Sequence, residues 1–292
     1  ITMKLPQPII PIKYSPQLSL PPKETLPTMY DLPSEDPEEP GLPDEFHVLQ
    51  PQLLLFTFRP AKYYPQEVFS CTDMNVYYDV QHHNWYKRPD WFGVVGVPRL
   101  YAQTDLRLSY VIWQEEISPF VVVELASPGT EKEDLGETER DGEEPPTKWQ
   151  VYEQILQIPY YVVFNRYNNR LRAFCLESGH YQELKLREKR IWMPELELSL
   201  GFWQGEYQGI NRSWLRWYNA EGNLILTDAE AAQQEARAAQ QEARTAQQEA
   251  RTAQQEARTA QQEIEKERQK TAEAEQRAES LAQRLRELGI EP

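Results

Sequence analysis

Three side chains of this sequence, Asp90, Glu124 and Lys148, are of the types and in the order that metal-assisted phosphodiester hydrolysis requires. Glu124 stands alone in an apolar run, Pro119-Phe-Val-Val-Val-Glu-Leu-Ala126, which reads as a central β-strand closed by the turn residues Ser127-Pro128-Gly129. A bare carboxylate buried there is costly unless it is paired or holds a metal. Asp90 opens a second apolar run, Trp91-Phe-Gly-Val-Val-Gly-Val97, and Lys148 opens a helix downstream. Two carboxylates and a backbone carbonyl, that of Leu125, can hold a hard cation such as Mg²⁺ or Mn²⁺ with waters left on it. Such an ion lowers the pKa of a bound water and polarises a phosphoryl oxygen. A lysine beside that water can orient it and offset the charge that builds on the phosphate.

Each residue has a plainer reading. Asp90 follows Pro89 and could be a turn residue; Glu124 could belong to a structural ion pair. Lys148 sits in the first turn of its helix, where the dipole disfavours a cation, and this conflict points to a role beyond helix stability. Tyr152, four residues on and on the same face, reads as a half-buried aromatic. His82 and His83 are adjacent and lack zinc-helix spacing, Gly93 and Gly96 lack the turn of a phosphate loop, and Ser127 opens a structural turn. Residues 131–144 hold eight acids and two bases and read as a solvated loop over the site.

These residues need a sheet and a helix to bring them together. Alternation and turn signals predict strands near 52–58, 91–97, 119–125, 160–165, 170–176 and 181–187, the last three as an antiparallel meander through Tyr167-Asn-Asn169 and Glu177-Ser-Gly179. After Pro145-Pro146, Thr147 with Gln150 three residues on forms a capping box, and Val151, Ile155 and Leu156 supply an apolar stripe that Pro159 ends. The expected fold is α/β, with a mixed central sheet.

Composition divides the chain into an arm (1–45), a core domain (46–227) and a tail (228–292). The arm has 11 of the 23 prolines, with seven acids and no base over 31–45, and reads as extended and solvated. All eight tryptophans lie in the core domain. With 46 acids against 31 bases the formal charge is −15, so contact with nucleic acid must be local or transient. Two cysteines cannot make a disulfide framework. Nothing approaches the length of a membrane helix, and a cytoplasmic protein is expected.

The tail repeats Ala-Gln-Gln-Glu-Ala-Arg-Thr at a strict seven-residue period from Ala232 to about Gln262. With Ala236, Ala243, Ala250 and Ala257 at heptad position a, Ala239, Ala246, Ala253 and Ala260 fall at d. The register passes Ile264, falters at Glu267 and Thr271, and resumes at Ala274, Ala278, Leu281, Leu285 and Leu288. A lone exposed helix is the simpler reading, since alanine is the best helix former. Within the repeat, however, no Glu–Arg pair falls at i,i+4: Glu235 to Arg237 is two residues and Arg237 to Glu242 five. A coiled coil joining copies of the chain is therefore expected, a rod on the order of 90 Å long.

The stretches Arg88-Pro-Asp-Trp-Phe92, Val121-Val-Val-Glu-Leu-Ala-Ser-Pro-Gly-Thr130, Lys148-Trp-Gln-Val-Tyr152 and Ile158-Pro-Tyr-Tyr-Val-Val-Phe-Asn165 resemble the Uma-two family. That is a large group of restriction-endonuclease-like proteins, abundant in cyanobacteria. The resemblance covers about residues 27–227 and implies a restriction-endonuclease-like core of the PD-(D/E)XK type. It places the proline–aspartate element on Pro89-Asp90 and the strand glutamate on Glu124. It also marks two departures: Ala126 stands where the superfamily's lysine would be, which directs that role to Lys148, and Asn165 stands where relatives commonly place aspartate. The expectation is a metal-dependent DNA endonuclease using Asp90, Glu124 and Lys148. The alternative is a non-catalytic scaffold that recruits partners through its coiled coil and arm.

Overall fold

Asp44 starts the first element. Its carboxylate accepts a hydrogen bond from the His47 backbone N–H at 3.0 Å and caps helix α1, Glu45–Thr57. The strand expected at 52–58 is the second half of this helix. A short apolar run does not distinguish buried strand from buried helix, and here Phe46, Gln50, Leu53, Leu54 and Thr57 fall on one buried face at helical spacing. Gln50 fixes the helix from that face, donating to the Leu215 carbonyl at 3.0 Å and accepting from the Leu215 N–H at 2.8 Å. The computed structural model describes residues 44–127, 129–138, 140 and 144–289. Most of the proline-rich arm therefore lies outside the described residues.

The central sheet has six strands in the order β1 (Val68–Thr72), β4 (Trp91–Val95), β6 (Val121–Ala126), β7 (Tyr160–Asn165), β8 (Arg170–Glu177) and β9 (His180–Glu183). Only β6 and β7 run parallel, joined through α3 (Glu131–Asp134) and α4 (Lys148–Gln150), which continues as a π-helical turn over Val151–Ile155. The sheet is mixed, as expected. β7, β8 and β9 form the expected meander, though β9 ends at Glu183 and not at residue 187. Between β1 and β4 lie β2 (Val76–Tyr77) and β3 (Tyr86–Lys87), which with β5 (Tyr110–Val111) make a small sheet. α2 (Ile112–Glu115) follows β5.

A third sheet, absent from the sequence reading, joins β10 (Arg190–Met193), β11 (Leu198–Tyr207) and β12 (Ile210–Tyr218). Its hairpin turns at Gln208-Gly209, both at positive φ (53° and 76°), the signature of a two-residue hairpin loop.

Strand alternation gives the central sheet two different faces. Trp91, Val121, Val123 and Leu125 pack toward α1 and the β10–β12 sheet, with Leu53, Leu54, Leu215 and Trp217. Phe92, Val94, Val122 and Tyr161 point the other way, toward Val151, Tyr152 and Ile158. Glu124 alternates onto this second face.

Contacts divide the chain into two compact units between Ile225 and Leu226. The second contains α5, Asp228–Glu287, capped by a reciprocal Thr227–Glu230 box. No side chain of α5 itself is buried. Among the described residues no ion pair joins side chains of the repeat over 232–262, whereas Lys270–Glu267 and Arg277–Glu273 pair beyond it.

Gly93 has no room for a side chain. A Cβ there would stand 2.8 Å from both the Phe58 and Trp91 rings. Gly93→Ala should destabilise the domain by about 1–3 kcal/mol through overpacking, read as a lowered urea midpoint with an unchanged slope.

Candidate active site

The pairing of β4 with β6 brings the two sequence-predicted acids together. Trp91 pairs with Val123, so Asp90, one residue before β4, falls opposite Glu124 when the register is continued. Opposed residues of an antiparallel pair share a face. Asp90 is tied to the neighbouring strand as well: its Oδ2 accepts the Leu125 N–H at 2.6 Å.

Lys148 comes to the same place from α4. The capping box of Thr147 and Gln150 starts that helix where the sequence predicts, so the ammonium rises over the C-terminal end of β6. Nζ donates to Glu124 Oε2 at 3.1 Å and to Asp134 Oδ1 at 2.8 Å. These two carboxylates answer the unfavourable placement of a lysine at a helix N-terminus. The other oxygen of Glu124, Oε1, accepts from the Tyr152 hydroxyl at 2.8 Å. Asp90, Glu124 and Lys148 are thus assembled at one end of the sheet.

Tyr152 and Asp134 correct the sequence reading. Tyr152, expected half-buried, is wholly buried, because the turn after Gln150 widens to π geometry and lays the ring under the sheet against Tyr161. Asp134, expected in a solvated loop, is buried in α3. The Tyr161 hydroxyl donates to its backbone carbonyl at 2.8 Å, which pins this turn of helix to the sheet. Eight acids in 14 residues hid the one that folds inward; the apolar Leu135 beside it, which packs against the second core, was the available signal.

His47 was also missed. Its Nδ1 lies 2.9 Å from Asp44 Oδ1 and its Nε2 3.1 Å from the Leu125 carbonyl. Both neighbours are acceptors, and a neutral imidazole has one N–H. The two bonds together require the doubly protonated ring. Burial opposes that charge, but the Asp44 hydrogen bond and the nearby Asp90 carboxylate outweigh it and raise the His47 pKa. Asn165, at the end of β7, accepts the Tyr167 N–H at 3.0 Å and closes the turn into β8.

Acids outnumber the ammonium at the centre: Asp90, Glu124 and Asp134 lie around Lys148, with Lys87 and the His47 ring as further bases beside them. Burial pushes the Glu124 carboxyl up to about 8 against the pull of Lys148, with Asp90 and Asp134 adding to the rise. Burial likewise raises Asp90, opposed by Lys148 and His47. Burial disfavours the charge on Lys148, yet Asp134, Glu124 and Asp90 together hold its pKa well above the usual lysine range. The site therefore keeps its lysine charged and favours a bound proton, or a further cation, on its carboxyls.

The donor chemistry fits a hard cation: carboxylate and carbonyl oxygens, with no thiol among them. Among the described residues Asp134 Oδ2 is buried without a hydrogen-bond partner, an acceptor open to a positive group. The Leu125 carbonyl, occupied on one side by His47, has a second lone pair. The donors are not drawn into a finished cage, and among the described residues no three acids, histidines or cysteines converge at metal-binding distance.

A mixed sheet whose end gathers two strand-borne acids and a lysine from the adjoining helix defines an α/β protein of the restriction-endonuclease-like class. Residues 18–211 match the Uma2 (Uma-two) family, described as "Putative restriction endonuclease", and the chain belongs to that family. No curated protein matches the chain.

Lys148→Met would leave Glu124 and Asp134 buried without their cation and should cost about 3–5 kcal/mol. Tyr152→Phe deletes one hydrogen bond to a carboxylate and should cost less, about 1–3 kcal/mol; urea melts of the two variants will rank them. A pH series tests the rim. Burial pushes Asp44 up, but bonds from the His47 ring and backbone, with Arg166 beside it, hold its pKa at about 2, below the ordinary 3.8. Its stabilisation is thus complete above about pH 4 and lost as pH falls through about 2. Thermal melts between pH 6 and pH 2 should show Asp44→Asn with a shallower acid limb than the wild type.

Proposed function

We propose that this protein is a metal-dependent DNA endonuclease that hydrolyses phosphodiester bonds at Asp90, Glu124 and Lys148. The observation that carries the reading is the gathering of buried Glu124 and Asp134 and partly exposed Asp90 beside the Lys148 ammonium, at one end of the central sheet of a Uma2-family chain. A structural ion pair needs one acid for one lysine. The surplus carboxylates and Asp134 Oδ2, unpartnered among the described residues, favour further positive charge: the protonated His47 beside Asp90 supplies part of it, and a bound proton or a metal cation would supply the rest.

Asp90, Glu124 and the Leu125 carbonyl would hold the cation, Mg²⁺ or Mn²⁺. When bound, it supplies Lewis acidity at the phosphoryl oxygen and makes water more acidic. Tyr152 holds Glu124 in one rotamer, so its second oxygen faces the site. Asp134 steers the Lys148 ammonium, which like Asp90 is partly exposed and is the group able to meet the scissile phosphate or the attacking water. With a formal charge of −15, DNA contact is confined to this neighbourhood and is transient.

The test is cleavage of a mixed DNA pool in Mg²⁺ or Mn²⁺. The wild type should cut, a chelator should stop it, and Glu124→Ala should lower the rate by at least about 100-fold. Glu124→Gln separates catalysis from structure. Its amide can turn its oxygen to Lys148 and its NH₂ to the Tyr152 oxygen, so it keeps the packing and removes one negative charge. The variant should melt higher than the wild type without metal. The wild type alone should gain about 2.7 kcal/mol at a hundredfold excess of cation over its dissociation constant. The scaffold reading is supported by one observation, that Lys148 is already bonded to two carboxylates. A wild type that neither cuts nor responds to metal, with Glu124→Gln less stable, would select it.

A further inference from the structure

We infer that α5 associates with α5 of a second copy as an antiparallel coiled coil, the acidic flank of one helix lying along the basic flank of the other. The helix has an apolar seam and nothing on it. Ile264, Leu281 and Leu288 are 56 %, 60 % and 75 % exposed, and no residue of the 60-residue helix is buried. Leaving such a seam in water is unfavourable, and its seven-residue period, broken at Glu267 and Thr271 and resumed in phase at Ala274, is that of a left-handed supercoil.

The residues that flank the seam decide what lies against it. Position g, just before each a residue, is Glu at 235, 242, 249, 256 and 263, then Lys270, Arg277 and Arg284. One half of this flank is acidic and the other basic. Position e is Gln at 240, 247, 254 and 261. In an antiparallel pair, g residues face g residues of the partner, so the acidic half of each helix runs beside the basic half of the other. In a parallel pair, g faces e. That would set Glu263 by Arg268 and Lys270 by Glu275, but four glutamates would face uncharged glutamine, and Arg277 would face Ala282.

Packing along the seam points the same way. The repeat offers alanine at every a and d position, and the bulky residues all lie beyond it. Antiparallel pairing lays the leucines of one copy on alanines of the other, so one interhelical spacing serves the whole rod. Parallel pairing puts alanine on alanine at one end and leucine on leucine at the other, which demands two spacings. It also stacks Glu267, a d residue, on its own copy, whereas the antiparallel pair sets it against alanine of the repeat. The partner is therefore a second copy of this chain, and the covalent connection places the two nuclease-like domains at opposite ends of the rod.

Full-length protein carrying a single dye-reactive cysteine tests this, in a Cys71→Ser, Cys175→Ser background whose melt matches the wild type. Donor on Ala238→Cys mixed with acceptor on Glu287→Cys should show strong energy transfer. Donor and acceptor both on Glu287→Cys should show almost none. The reverse pattern, or a particle mass of 34.4 kDa by light scattering of the wild-type chain, would overturn the inference. Charge gives an independent arm. Arg277→Glu should weaken association on the order of tenfold, since each attraction becomes a repulsion twice per dimer. Adding Glu249→Arg, which lies opposite position 277 in this pairing, should restore it. No loss with Arg277→Glu would also overturn the proposal, because in a parallel pair this residue faces alanine.

Discussion

Everything around the site follows from one carboxylate held in the middle of a sheet. Glu124 could not be buried among Val122, Phe92 and Tyr161 unless other groups reached it, and each that does is delivered by a different element. Tyr152 requires the widened turn after α4, and Lys148 requires the capping box that starts it. Asp134 requires the short α3 pinned by Tyr161, and Asp90 requires the antiparallel pairing of β4 with β6. The crossover between β6 and β7 is thus more than a connection. It is the piece of chain that brings a cation to the strand acid, and the parallel pairing of those strands is the geometry that leaves room for it.

The arrangement is a compromise between stability and charge. A site with two acids and no lysine would be hard to fold without metal, and a site with matched charges would give a metal no reason to enter. Under the proposed function, three carboxyls with the Lys148 ammonium and the His47 ring beside them lie between these limits. The two bases neutralise enough charge for the domain to fold, and they leave, among the described residues, an unpaired buried oxygen on Asp134. The protonated His47 at the Leu125 carbonyl extends the same logic to the rim, where a positive ring, itself held by Asp44, stands beside Asp90.

Much of this was legible in the sequence, for identifiable reasons. Glu124 stood out because the strand around it is apolar on both sides, and Lys148 because it opposes its helix dipole. The central strands and the 148–155 helix carried clear punctuation in Pro145, Pro146, Thr147 and Pro159. What failed was local ambiguity. Residues 52–58 are apolar in a way that suits either a strand or a buried helix, and the deciding cap, Asp44, lay in a segment read as solvated. Asp134 was one acid among eight, distinguishable only by where the chain turns. The partners of His47, Asp44 and the Leu125 carbonyl, are three residues and 78 residues away, and only the fold joins them.

The tail has a property that a globular element cannot have. Its units are interchangeable: heptads from Ala232 to Gln262 differ by little more than an alanine for a threonine. Loss or gain of one unit would change the rod by roughly 10 Å and rotate nothing out of phase, since the seam resumes where it left off. Any other change in length would turn Ile264 and the leucines away from the seam that the alanines define. In the coiled coil inferred above, the length of the rod is therefore quantised, able to grow or shrink by whole heptads.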